Sequence, residues 1–208
     1  KLDWMDQHNI DHSVMLCLSQ LYCNGWNKKD CFDGIRFQND FNASIQSDFP
    51  DKFTCGFVVQ PLYLDHALLE IERCVNELGL KVLCLPTHFL NKNREWLSIA
   101  EEDVDPIFEL ANKYGLAVQI HPYDGEKIIA LKNQYWRFHL VWMMAQCADT
   151  LHLYTLRDLP NKFPYICFNS LIFASPESPL LLETELEKIA FPLVEEACQV
   201  ILPIAPLV

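Results

Sequence analysis

Residues 115–124 read Gly-Leu-Ala-Val-Gln-Ile-His-Pro-Tyr-Asp, GLAVQIHPYD. Leu116, Ala117, Val118, Gln119 and Ile120 form a short apolar run of the kind that makes a buried strand. Gly115 closes a helical pattern before it, and another helical pattern follows. His121 and Pro122 stand at the carboxyl end, where the proline turns the backbone out of a sheet. In parallel α/β sheets the functional side chains gather at such strand ends. His121 is therefore a candidate metal ligand or general base. The competing reading is a core histidine tied to a backbone carbonyl.

Outward from this stretch the same alternation repeats. Ser13–Ser19, Phe53–Gln60 and Lys81–Leu85 read as buried strands, and Tyr165–Phe168 and Leu171–Ala174 as two more. Helical patterns fill the intervals: the tail of one over Lys1–Gln7, ending near Asn9, then Phe37–Asp48. A third has Asp65 as N-cap and Leu68, Ile71, Val75 and Leu78 on its apolar face, with Gly79 as its left-handed stop. Asp105-Pro106 opens a helix as N-cap and first residue. Beyond His121, helices are expected over 126–131 and roughly 135–156. A last amphipathic segment around Leu186–Ala197 is split by Pro192. Residues 21–33 read as a loop, with Asn24-Gly25 as its turn. Strands alternating with helices every thirty to forty residues indicate an α/β fold with a parallel sheet. Several strands end in polar or histidine-bearing turns, which favours a barrel.

Composition narrows the function. Half of the 208 residues are hydrophobic, enough for one large core, so a single domain over 1–208 is expected. The net charge of −12 argues against nucleic acid and against anionic membrane. The nine cysteines are odd in number, sit in strand-like or helical runs, and include no C-x-x-C pair. They read as reduced, buried thiols of a cytoplasmic protein. No transmembrane run and no signal peptide are read.

Among the histidines, Thr87-His88 leaves the strand before His121, so both rings could face one pocket. Two histidines do not make a metal site, which needs three or four ligands. A structural hydrogen bond is the competing role for His88. His139 and His152 lie in helical runs and read as surface or packing residues. Cys84 is mid-strand and reads as inert. The acidic run Glu101, Glu102, Asp103 and Asp105 lacks the spacing and glycine of a calcium loop and reads as solvated chain entering a helix. No P-loop, dinucleotide fingerprint or G-x-S-x-G is present.

Taken in order, a set of segments resembles the branch of the amidohydrolase superfamily typified by aminocarboxymuconate-semialdehyde decarboxylase (ACMSD). They run from Met5-Asp6-Gln7 through Asn39-Asp40, Phe49-Pro50-Asp51-Lys52-Phe53 and Gly56. Glu70–Val75, Glu77-Leu78-Gly79, Thr87-His88 and His121-Pro122-Tyr123-Asp124 continue the match. Tyr135-Trp136, Leu140-Val141, Phe163-Pro164 and Cys167-Phe168 complete it. The resemblance implies a distorted TIM (β/α)8 barrel of the metal-dependent hydrolase type. It implies one divalent metal, usually Zn2+, and decarboxylation of an unsaturated or aromatic carboxylic acid. Hydrolysis of a lactone or amide is the alternative within the family. By the same resemblance His121 is a metal ligand, Trp136 lies near the substrate pocket and the protein is a homodimer; His88 is a pocket candidate by its strand-end position alone.

The departures are equally specific. The sequence contains no H-x-H of the family's first strand. Cys167-Phe168 is followed by Asn169-Ser170 where the family carries its acid/base histidine. Ser175-Pro176 stands where the family's last strand ends in a metal-binding aspartate. The barrel is thus incomplete over these residues. A catalytically inactive barrel that binds a small molecule or a protein is the rival expectation from a different class.

Overall fold

A computed structural model describes residues 1–122 and 141–170. Helix α1 (Leu2–Gln7) leads into β1 (Ser13–Met15), α2 (Lys28–Asp48) into β2 (Phe53–Val58), and α3 (Leu64–Asn76) into β3 (Val82–Pro86). A hairpin of β4 (His88–Leu90) and β5 (Trp96–Ser98) precedes α4 (Asp105–Tyr114) and β6 (Ala117–His121). Then come α5 (Met143–Leu156), α6 (Leu159–Lys162) and β7 (Cys167–Ser170).

Five of the strands form one parallel sheet in the order β1-β2-β3-β6-β7. Each new strand is laid beside the one before it. A doubly wound sheet would reverse that order at a switch point. Winding in one sense, with helices between the strands, is the construction of a (β/α) barrel, and the described residues form part of one.

The two faces of the sheet differ. Phe57, Val59, Leu83, Leu85, Val118 and Ile120 pack with Ala67, Ile71 and Cys74 of α3 and with Ile107, Phe108 and Ala111 of α4. That helix-covered face holds the main core. The opposite face carries Val58, Cys84 and Gln119, which stand in register on β2, β3 and β6. Val58 and Cys84 form a smaller buried cluster there with Cys17, Tyr22, Cys23, Cys31 and Ile35. Gly56 lets β2 and β3 close up: a Cβ on it would lie 2.7 Å from Cys84 Sγ and 3.3 Å from the Val82 carbonyl oxygen.

Several boundaries depart from the sequence reading. β1 ends at Met15 rather than Ser19, and α2 supplies what the missing strand would have bonded. Asn39 accepts from the Val58 N–H at 2.9 Å and donates to its carbonyl at 3.0 Å. Asn42 donates to the Gly56 carbonyl at 2.7 Å, and Gln46 accepts from the Cys55 N–H at 2.8 Å. Four backbone groups of β2 are thereby satisfied by amide side chains. Helix α2 starts at Lys28, inside the expected loop, because Asn27 caps it by accepting from the Asp30 N–H at 3.0 Å. Gly34 inside that helix leaves room for Trp26, whose ring would be 3.2 Å from a Cβ.

Neither Asp65 nor Asp105 is an N-cap. A 3-10 turn, Pro61–Tyr63, runs into α3, so Asp65 falls within the first helical turn. Another 3-10 turn, Glu102–Val104, runs into α4 and absorbs the acidic run. Asp105 instead accepts two 2.8 Å hydrogen bonds from Arg157 at the end of α5 and pairs with Lys162. Gly79 does take the left-handed conformation, at φ +70°, past the end of α3. The β4–β5 hairpin and α6 were not anticipated, and β7 is displaced two residues beyond the strand expected at Tyr165–Phe168. The helix expected over 126–131, the start of the one over 135–156, the strand at 171–174 and the last amphipathic segment lie outside the described residues. Of the nine cysteines, the eight in the described residues are free thiols, seven of them buried. No helix among the described residues is long and apolar enough to cross a membrane.

Candidate active site

The carboxyl ends of β1, β2, β3 and β6 lie toward the sheet face opposite α3 and α4. β3 and β6 run side by side to their last residues, with Pro86 opposite His121, and the Thr87 N–H extends the ladder by donating to the His121 carbonyl at 3.2 Å. The loop after β1 crosses the same region. Tyr22, Asn24 and Gln60 knit it to β2: Gln60 Nε2 donates to the Tyr22 carbonyl and to Asn24 Oδ1, both at 2.9 Å.

His121 is half-buried at the end of β6. Its Nδ1–H donates to the Pro122 carbonyl at 2.7 Å. That bond fixes the tautomer and leaves the Nε2 lone pair free, the state in which a histidine binds a metal. Burial holds its pKa below the usual histidine range, so the ring is neutral near pH 7. Both readings of His121 thus describe one arrangement: the backbone carbonyl orients the ring and Nε2 stays available.

His88 sits at the neighbouring strand end, but its ring is turned to a helix. Its Nε2–H donates to Asp149 Oδ2 of α5 at 3.1 Å. Burial lowers its pKa, and the nearby Asp149 carboxylate only partly offsets this. Its Nδ1 is buried and has no partner among the described residues, and the same holds for the hydroxyl of Thr87. The two strand ends are adjacent, yet no group of three histidine, cysteine, aspartate or glutamate side chains able to hold a metal occurs among the described residues. His121 fits one coordination position, and the described residues do not complete a site. Trp136 and His139 lie outside the described residues. His152 is exposed on α5, as expected of a surface residue.

Two residues of this face escaped the sequence reading. Tyr22, in the expected loop, is fully buried and points its hydroxyl at Gln119 Oε1, 3.5 Å away. Burial raises its pKa, so the phenol stays protonated and acts as donor. Gln119 is buried on the same side of β6 as His121, and its Nε2 has no hydrogen-bond partner among the described residues. The available signal was an amide two residues before His121 in an otherwise apolar strand, which period-two alternation places on the histidine's face. Cys17 and Cys84 line the wall beside them, and the thiol of Cys17 is held strongly protonated by its Cys84 neighbour and by burial.

A family model described as Amidohydrolase matches residues 26–170, more than half of the chain. A 2-amino-3-carboxymuconate-6-semialdehyde decarboxylase of Dictyostelium discoideum is 24% identical over 151 residues, which are 72% of this chain and 39% of that protein. The crystal structure of 2,6-dihydroxybenzoate decarboxylase from Rhizobium superposes with a TM-score of 0.72 at 19% identity, over 81% of this chain and 54% of that one. The 5-carboxyvanillate decarboxylase of Novosphingobium aromaticivorans, solved with manganese and 4-hydroxy-3-methoxy-5-nitrobenzoic acid, superposes with a TM-score of 0.71 at 20% identity. That match covers 81% of this chain and 47% of that structure. The chain therefore spans about two fifths of the curated relative and about half of these solved structures.

Proposed function

The chain belongs to the amidohydrolase family, and from that premise we propose that it forms the catalytic face of a metal-dependent carboxy-lyase acting on an unsaturated or aromatic carboxylic acid. The observation that carries the proposal is His121: strand-end placement, Nδ1 tied to the Pro122 carbonyl, Nε2 free and the ring neutral. The names of its relatives support the reaction class: an aminocarboxymuconate-semialdehyde decarboxylase and two aromatic-acid decarboxylases.

His121 Nε2 would hold the metal, Zn2+ or another divalent ion such as the manganese of one related structure, together with ligands beyond the described residues. Bound there, the ion would supply Lewis-acid polarisation of an oxygen beside the carboxylate that is lost. The chain's own residues bind, orient and exclude water. The Pro122 carbonyl keeps His121 in its metal-binding tautomer. Val58, Cys84 and Cys17 wall the inner face against water. His88, braced by Asp149, lines the pocket edge, and Trp136 is assigned to the same pocket. The reaction breaks the bond to the carboxylate carbon, releases CO2 and places a proton on the carbon left behind.

A homodimer of single-domain subunits in a reducing, cytoplasmic compartment belongs to the same proposal, the last supported by the buried thiols. A lactone or amide hydrolase built on the same metal is the second reading within the family. A specific observation favours the inactive-barrel reading: no three-ligand group among the described residues. The deciding experiment is release of labelled CO2 from a panel of carboxyl-labelled aromatic and muconate-type acids by metal-supplemented protein. Release is expected, with at least a hundredfold loss in His121→Ala. An intact fold with no release from any acid would support the inactive barrel.

A further inference from the structure

We propose that Gln119 is a substrate-binding residue, donating from Nε2 to an acceptor oxygen of the bound acid one layer below His121; this rests on the carboxy-lyase reading. Gln119 is only 2% exposed. Its Oε1 is occupied by the Tyr22 hydroxyl, which turns both N–H groups of Nε2 away from Tyr22, and nothing among the described residues accepts them. Two other buried amides nearby, Gln60 and Asn39, are fully used. Gln60 donates twice and accepts from the Leu62 N–H at 3.2 Å, and Asn39 bonds both polar groups of Val58 and Glu70. A buried amide nitrogen without a partner is costly to the fold, and a ligand that accepts from it would offset that cost.

The placement fits a ligand. Val118 and Ile120 on either side point into the helix-covered core, so Gln119 must point to the inner face with His121. Two residues along a strand separate their side chains by about 6.5 Å. A small acid engaged at His121 can therefore present a second oxygen to Gln119. An amide donor selects an acceptor there: a carboxylate, carbonyl or phenolate oxygen. A purely hydrocarbon tail would leave the donor unpaired.

The test is calorimetric titration of the manganese-loaded protein with benzoate, 2,6-dihydroxybenzoate and cis,cis-muconate, for wild type, Gln119→Leu and Gln119→Glu, alongside thermal melting without ligand. For the tightest-binding acid, Gln119→Leu should raise Kd ten- to hundredfold, and Gln119→Glu, which sets a carboxylate against the acid, should raise it further. Gln119→Leu removes the acceptor of the buried Tyr22 hydroxyl together with the unpaired amide, so its ligand-free Tm serves only to show that the variant folds. Unchanged Kd in a folded Gln119→Leu would overturn the assignment and make Gln119 a structural residue. If Gln119→Leu does not fold, equal affinities of Gln119→Glu and wild type would overturn it. A wild type that binds none of the acids would bring down the carboxy-lyase reading with it.

Discussion

At the residue scale, the site depends on neutral imidazoles. His88 illustrates the consequence for pH. Burial lowers its pKa in the folded chain, whereas in the unfolded chain it takes up a proton below about pH 6.5. Between the two values the unfolded state holds more protons, so stability is fully present above about pH 6.5 and falls as the pH drops toward the folded value. His88→Gln should flatten that decline, read as urea midpoints between about pH 7 and pH 5. An equally steep decline in the variant would mean that another group controls acid stability. His121 was legible in the sequence because an apolar strand and a following proline mark its position. Gln119 was not, because an amide inside an apolar run reads as part of the strand. Only the Tyr22 contact, spanning 97 positions, exposes its unpaired nitrogen.

At the element scale, two junctions invite tests. Gly56 allows β3 to lie against β2, and a methyl there meets both a sulfur and a backbone oxygen. Gly56→Ala should cost about 1–3 kcal/mol of stability through overpacking, measured as a shift in denaturant midpoint. Adding Cys84→Ala should recover part of it, and no recovery would place the strain in the backbone contact with Val82. The Asp105–Arg157 pair ties α4 to α5, with both side chains 15% exposed. Arg157→Met should cost about 2–3 kcal/mol, less than a wholly buried pair, because water still reaches both groups. A loss under about 0.5 kcal/mol would reduce the pair to a surface ion pair. Asp105 also shows where local signals mislead. Asp-Pro is a sound helix start, but a capping carboxylate cannot also serve a guanidinium 52 positions away, and the tertiary pair prevails. The same holds for the start of α2: Asn24-Gly25 just before it suggests a loop, whereas Asn27 caps a helix in which Gly34 leaves room for Trp26. The three-residue strands of the hairpin offered no periodicity to read.

At the scale of the whole molecule, the alternation of strands and helices was sufficient to indicate a parallel α/β barrel. The strand order confirms the winding, and the amidohydrolase match agrees with it. The matches span 39% of one relative and 54% of another, and the described residues supply five strands of the barrel. The function follows from whether that histidine holds a metal. The most direct measurement is therefore elemental analysis of purified wild-type protein and His121→Ala after equilibration with equal amounts of zinc and manganese and removal of free ion. The account predicts about one divalent metal per wild-type chain and less than a tenth of that in a His121→Ala variant that keeps its circular dichroism. A wild type that retains no metal, or a variant that retains as much as wild type, would contradict it.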